Sequence, residues 1–589
     1  MKSLKAGMGL YPFLFRAGNL QHFANNLCRY LKEILRYQAK HRSETVSSPF
    51  MQPFLQQYRY QSALLLIWTL VLLVVNPQGE FPLNDDFSFA KSVFNLCEEG
   101  RFLLDDWLAM TLLTQLFYGV AWCELFGFSF EVLRFSTLVI AGAGLLLFFN
   151  LLLWFGATRK LAFFTTLLLA FNPLWFLLSF TFMTDVHFLV WMMAALLLWL
   201  RYLRSGTAGS YLLALILTLA LVFLRQTGLM VALAAGVAIL FKGNRNFLTL
   251  LRAGLPLLLA GLSLVLWYSW LAAHQGLPET FGKPSRLLEN LTDPGHLATL
   301  PQRLSVLIAY MGAFTLPLTL ASFPMMFTEG SLKFSTRKNG WRLVLVLVYL
   351  LVAWTAREKL PWGNILYNLG LGPPTLKDGQ FFLNLNYQLS GWALEALRLL
   401  FIVSGGWLLW CLTGLGRRLA RSAENILLLS CILVYLAFLL LDTHAFDRYF
   451  LVLLPLLLLL LAGHSRLSFG KMAWWHSSLS WVTLVLLATF SLGATHDYLS
   501  WNRARWAALN HLMVQQKIPP EKIDGGFEFN GWYKPGRIEH GRAKSWWWVA
   551  EDEYCVTFGP LDGYHCMEKV PFNRWLPPTV DSLCVLKKN

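Results

Sequence analysis

Trp107-Leu-Ala-Met-Thr-Leu-Leu-Thr-Gln-Leu-Phe-Tyr-Gly-Val-Ala-Trp-Cys-Glu-Leu-Phe126 is apolar enough to pass for a membrane span. Counting it as one inverts every loop that follows. Passing over it leaves a consistent chain, so its reading decides the topology. Around it the composition is that of a multi-spanning membrane protein. Of 589 residues, 56% are hydrophobic and 14% charged, and apolar runs long enough to cross a ~30 Å hydrocarbon core recur throughout. Lys and Arg number 49 against 33 Asp and Glu, a net charge of +16. In a soluble chain that excess points to nucleic acid. Here the basic residues cluster in short segments between apolar runs, which points to topology and away from nucleic acid.

With the 107–126 stretch set aside, about thirteen spans can be drawn: 61–76, 131–156, 161–179, 186–203, 210–224, 227–241, 249–272, 304–326, 342–356, 394–413, 425–441, 449–463 and 473–494. The N-terminal segment carries nine Lys or Arg against Glu33 and Glu44, which places it inside. The connections then expected inside hold Arg159-Lys160, Arg201/Arg204, Lys242/Arg245, Lys333/Arg337/Lys338, Arg417/Arg418/Arg421 and Arg466/Lys471. All are short and basic. The longer, mixed-charge loops 77–130, 273–303 and 357–393 fall outside, with the tail 495–589. The quoted stretch then reads as a helix lying in or re-entering the interface, with Gln115 and Glu124 as its polar points.

Three parts follow. Residues 1–60 form a cytoplasmic basic segment, where Leu20, Phe23, Leu27, Leu31 and Ile34 fall on one helical face suited to an anionic leaflet. No apolar core stands within its first 30 residues, which reads against a cleaved secretory signal. Residues 61–494 form the membrane domain. Residues 495–589, with Gly525-Gly526 and β-rich runs at Tyr554–Phe558 and Leu583–Leu586, read as a small extracytoplasmic α/β domain. Its three cysteines, Cys555, Cys566 and Cys584, allow one disulfide and leave one thiol over. No CxxC pair or Cys/His cluster suits zinc.

Polar residues gather at the outer span ends. Asn84-Asp85-Asp86 follows the first span, ahead of a helix expected to bury Phe87, Ala90, Phe94 and Cys97. Asp185 precedes the fourth span, Arg225-Gln226-Thr227 sits within an apolar hairpin, and His444-Ala-Phe-Asp-Arg-Tyr449 leads into a Leu-rich span containing Pro455. Each has an ordinary explanation: Asn84 or Asp85, and Asp185, as N-caps, Arg225 snorkelling, Asp447-Arg448 as an interface anchor. Their convergence on one face favours chemistry. Charge near lipid is expensive and tends to be kept for function.

An acidic pair in the first outer loop, a second Asp before span four, and an Arg-Tyr leading into a Pro-containing Leu-rich span resemble the integral-membrane GT-C glycosyltransferases. The bacterial branch related to protein O-mannosyltransferases and the lipid A aminoarabinose transferase is most similar, over roughly 60–465. The resemblance implies an all-α polytopic fold and transfer from a polyprenyl-phosphate-linked sugar to an acceptor hydroxyl, with inversion. It implies Asp85 as general base, with Asp86 in the second acidic place and Asp185 in the later one. Where such proteins often carry His-Pro-Pro or Lys-Pro, this chain has Leu104-Asp105-Asp106-Trp107.

The chemistry asks for the same parts. Displacing a phosphate from a sugar needs a base for the incoming hydroxyl and fixed positive charge at the leaving phosphate. Arg225 and Arg448, with Gln226 and Tyr449 beside them, are candidates for the phosphate, and Lys91, Arg357 and Lys359 are further cations. No cofactor is required; Mg²⁺ or Mn²⁺ between Asp85, Asp86 and Asp185 is compatible with hard oxygen ligands. The partners expected are the lipid-linked donor, a glycan, lipid or protein acceptor, and membrane lipid, in the inner membrane of a cell envelope. A transporter or flippase for lipid-linked sugars is the alternative, but span interiors nearly free of charge and the lack of a second Asp-Asp copy speak against it. A non-catalytic envelope-assembly partner is a third reading.

Overall fold

A computed structural model describes the chain from residue 51 onward, apart from 245, 279–286, 329–335, 362, 368–369, 382–390, 417–418, 420, 443–445, 465–473, 535–546, 550 and 578–579. The basic amphipathic segment at 20–40 and His444 lie outside the described residues. The chain divides into two compact units, Met1–Ser62 and Ala63–Asn589. In the first, the described residues are helical from Met51.

The second unit is a bundle of helices with a small sheet at one end. Among the described residues, eight helices are long and apolar enough to cross a membrane, or nine if a pair bent by 65° counts as one span. This is a multi-pass membrane protein. Every one of the thirteen stretches drawn from sequence contains helix, but the count of thirteen is not reached by length. Ala208–Val222, Gln226–Lys242 and Gly340–Thr355 are short apolar helices, and the Leu-rich stretch divides into Asp447–Phe450 and Leu453–His464. The bend comes at Asn172-Pro173, where Asn172 Oδ1 accepts from the Leu174 and Trp175 amides and starts a new helix.

Burial explains the Leu-rich stretch. Nearly every side chain from Leu451 to Ala462 is buried, so a helix apolar all round is the core of the bundle. Phe247–His274, by contrast, leaves Leu258, Val265 and Leu266 exposed, as a lipid-facing helix does. The ends of the bundle differ in kind. At one end Arg204 pairs with Glu424 at 3.4 Å and lies over the Trp154 ring, and Lys242 donates to the Leu203 carbonyl. The polar loops meet at the other.

Trp107–Phe126 is no span. Only Leu113–Phe126 is helical, and the residues before it run against the hairpin at 220–226. The Leu112 amide donates to the Leu224 carbonyl at 3.1 Å, and Thr111 and Thr114 hydroxyls donate to the Val222 and Ala220 carbonyls. The hairpin is tight: a Cβ on Gly228 would fall 2.8 Å from the Val222 nitrogen. Gln115 is buried and donates to the Phe182 carbonyl at 2.8 Å.

The last long helix, Trp474–Asn510, continues beyond residue 494 and enters the tail as one rod. The tail adds strands β1 (Ile523–Asp524), β2 (Tyr554–Thr557), β3 (Tyr564–Pro571) and β4 (Ser582–Lys588), in sheet order β1-β2-β4-β3. β1 and β2 are parallel, the other neighbours antiparallel, with a bulge in β3 between Cys566 and Glu568. Cys555 and Cys584 are buried, Cys566 is exposed, and all three are thiols here.

Candidate active site

The 77–130 loop is nailed down before it reaches Asp85. Arg134, buried in helix Phe130–Trp154, donates to the carbonyls of Pro77, Gly79, Phe81 and Phe180 at 2.6–3.0 Å. Glu80 in turn accepts from the Phe130 and Glu131 amides and caps that helix. Burial pushes the Glu80 carboxyl up to about 7.

Asn84 and the two aspartates then part company. Asn84 adopts a left-handed backbone, φ 58°, which Asn tolerates better than most residues. Its amide donates to Glu528 Oε1 at 2.8 Å and its side chain to Asn364 Oδ1 at 3.3 Å. Asp85 stands at the start of helix Asp86–Cys97 but makes no capping bond. Its Oδ2 accepts from Arg448 at 2.8 Å and its Oδ1 from Trp107 Nε1 at 3.0 Å, and its side chain keeps 19% of its surface exposed. Asp86 points the other way into the protein. Its Oδ1 accepts from the Leu83 amide at 2.6 Å and its Oδ2 from the Phe182 amide at 3.0 Å. Loss of water pushes the Asp86 carboxyl up to about 8, against those two amides. Asp86 therefore ties the Asp85 loop to the link that ends at Asp185. It is a brace.

Arg225 reaches Asp185 Oδ1 at 3.0 Å, and both are buried. The distance is that of an ion pair, but neither Asp185 oxygen receives an aligned hydrogen bond. We take the pairing as Coulombic, with hydrogen-bonding capacity left unused. Tyr449 lies between the guanidiniums, its ring 5.3 Å from that of Arg448 and 5.9 Å from that of Arg225. The Tyr435 hydroxyl holds Tyr449 in place through its carbonyl at 3.1 Å. Arg448 Nε is also buried without a hydrogen-bond partner. Two carboxylates and two guanidiniums thus form one chain with donors and acceptors to spare.

Asp447 serves the frame. Its oxygens accept from the amides of Asn364, Ile365 and Leu366 at 2.7–3.2 Å, fixing the loop whose Asn364 meets Asn84. Behind it, Arg505 and Glu528 pair at 2.9 Å with both side chains at 0% exposure. Glu528 also accepts from Thr375 at 2.7 Å, and Arg505 Nε donates to the Gly525 carbonyl at 2.7 Å. The 77–130 loop, the 357–393 loop and the tail meet at this pair.

Other expected residues go elsewhere. Lys91 donates to the Trp532 carbonyl at 3.3 Å and lies 3.9 Å from Asp105, so its contacts are with the tail and its own loop. Gln226 donates to the Ala109 carbonyl at 3.2 Å and braces the hairpin that presents Arg225. Lys359 donates to Gln302 and Arg357 to the Trp354 carbonyl. Asp85, Asp86 and Asp185 face Arg448, two backbone amides and Arg225 in turn, and do not share a centre. Among the described residues no group of three or more His, Cys, Asp or Glu is placed to hold a metal ion. Trp107, Arg134, Arg505 and Glu528 were not singled out as site residues in the sequence. Only Trp107 carried a signal, as the first residue of the apolar stretch 107–126.

No protein-family model and no curated protein matches the chain. Among solved structures the chain matches several at low identity, with TM-scores under 0.5. One is ArnT from Cupriavidus metallidurans bound to undecaprenyl phosphate, at 12% identity and TM-score 0.45, covering 90% of this chain and 98% of that one. Another is the archaeal oligosaccharyltransferase AglB from Archaeoglobus fulgidus in complex with an inhibitory peptide and a dolichol-phosphate, at 14% identity and TM-score 0.42, covering 80% of this chain and 59% of that one. ArnT in the apo state matches at 13% identity and TM-score 0.37, covering 89% and 98%.

Proposed function

We propose that the protein is a glycosyltransferase that moves a sugar from a polyprenyl-phosphate-linked donor to an acceptor hydroxyl at the outer face of the membrane, with inversion. The observation that carries this is the half-open chain Asp85–Arg448–Tyr449–Arg225–Asp185. A phosphate at the membrane surface needs guanidinium donors held with capacity unspent, and Arg448 Nε is such a donor. The acceptor needs a carboxylate that is reachable, and Asp85 is the more exposed of the adjacent pair.

In this reading Arg448 holds Asp85 until the donor arrives. The phosphate then competes for the guanidinium, which frees Asp85 Oδ2 for the acceptor. Asp85 takes the hydroxyl proton as the new bond forms at the anomeric carbon. The carbon–oxygen bond to phosphate breaks on the opposite face, its electron pair leaving with the phosphate. The proton gained by Asp85 offsets the charge gained by the phosphate, so the total charge of the site stays constant. Fixed guanidiniums stabilise that shift without reorganising.

Native mass spectrometry of the purified protein with added polyprenyl phosphate tests the phosphate half of this reading. Arg225→Ala and Arg448→Ala should each retain less lipid than the unmodified protein, by about tenfold or more. Equal retention by both variants would remove the phosphate site.

A further inference from the structure

Helices Asp86–Cys97 and Leu113–Phe126 pack side by side. They come close at Gly119, where an added Cβ would fall 2.9 Å from Val93 Cγ2. Four residues further along each helix, one turn on the same face, stand Cys97 and Cys123. Cys97 Sγ lies 3.8 Å from Glu124 Oε1, the residue next to Cys123, which brings the two thiols into one neighbourhood where each affects the other's titration. Cys123 is buried, whereas Cys97 is half-buried at the end of its helix and open to a reagent.

We propose that Cys97 and Cys123 are a disulfide site, closed by a thiol oxidase carrying a donor disulfide in the outer compartment. The Cys97 thiolate attacks the donor disulfide to give a mixed disulfide. The Cys123 thiolate then displaces the donor, forming the Cys97–Cys123 bond. The donor leaves as a dithiol, carrying two electrons and the two protons. Cys97 goes first because it is accessible and because burial pushes the Cys123 thiol up to about 12. The bond would clamp the helix that opens with Asp85-Asp86 to the one that follows Trp107, holding both sides of the Trp107–Asp85 contact. The inference rests on the outer placement of this loop, where disulfides persist, and on nothing in the transfer chemistry.

Cells expressing the full chain would be lysed into excess iodoacetamide, and the protein digested without reductant and read by mass spectrometry. The Cys97 and Cys123 peptides should appear joined, lighter than their sum by two hydrogens. Cys97→Ser should release Cys123 for alkylation, which shows that its peptide is detectable. Alkylated Cys97 and Cys123 in the unmodified protein would overturn the proposal. A protease-accessible tag after Asn589 separates the causes of that result. A tag outside with both thiols alkylated sinks the cross-link alone, and a tag inside with both alkylated sinks the outer placement as well.

Discussion

Two of this protein's arginine–carboxylate pairs, almost equal in length, do opposite work. Arg505–Glu528 at 2.9 Å is wholly buried, and Glu528 also takes the Asn84 amide and the Thr375 hydroxyl. Arg448–Asp85 at 2.8 Å keeps Asp85 open on one side and leaves Arg448 Nε unmet. Both leave a guanidinium nitrogen buried without a partner, Arg505 Nη2 in the first and Arg448 Nε in the second. The first joins three segments of chain and is closed to solvent, whereas the second leaves its carboxylate partly exposed. Neither distance nor an unmet nitrogen tells a brace from a reactive pair; access does.

The largest effect expected from breaking this comparison falls on the closed pair. Glu528→Gln leaves Arg505 without its counter-charge and should destabilise the fold by about 3–5 kcal/mol, read as a lost or strongly lowered thermal transition in detergent. Arg448→Ala should leave that transition within a few degrees and lower donor affinity by about tenfold or more. A fold as damaged by Arg448→Ala as by Glu528→Gln would erase the distinction.

The adjacent aspartates sharpen it through pH. The Asp86 carboxyl is raised from 3.8 to about 8 in the folded protein. An acid raised in this way binds its proton more tightly when folded, so its stabilising contribution is complete below the unfolded value and is lost as pH rises through the folded one. The melting temperature should therefore fall between about pH 4 and pH 8, with Glu80, raised to about 7, acting in the same direction. Asp86→Asn should flatten that fall. An equal slope with and without Asp86 would remove the brace assignment. The smallest effect belongs to Trp107→Phe, which keeps the ring and deletes one hydrogen bond to Asp85. Transfer should drop by about tenfold or less, with donor affinity unchanged.

What the sequence showed was set by periodicity and charge. Apolar runs and basic connections are local patterns, so the helices and the two ends of the bundle could be read from them. Asp85, Asp185, Arg225 and Arg448 stood out in the sequence because charge at a span end is conspicuous. Their pairing was not, since Asp85 and Arg448 are 363 residues apart. Asp86 looked equivalent to Asp85 because a helix start does not reveal which of two adjacent side chains turns inward. Glu528 and Arg505 lie in a tail of mixed composition, where a buried pair looks like any two surface charges. Lys91 shows the reverse error: a cation close in sequence to Asp85 whose partners, Trp532 and Asp105, lie elsewhere.

Single-turnover transfer by Asp85→Asn tests the central claim most directly, using a lipid-linked donor that the unmodified protein is shown to consume. Asn keeps the size of Asp and accepts the Trp107 hydrogen bond, but it takes no proton at neutral pH. The account predicts a rate lower by at least about 10², with donor still bound and the thermal transition unmoved. Transfer at the unmodified rate would contradict it.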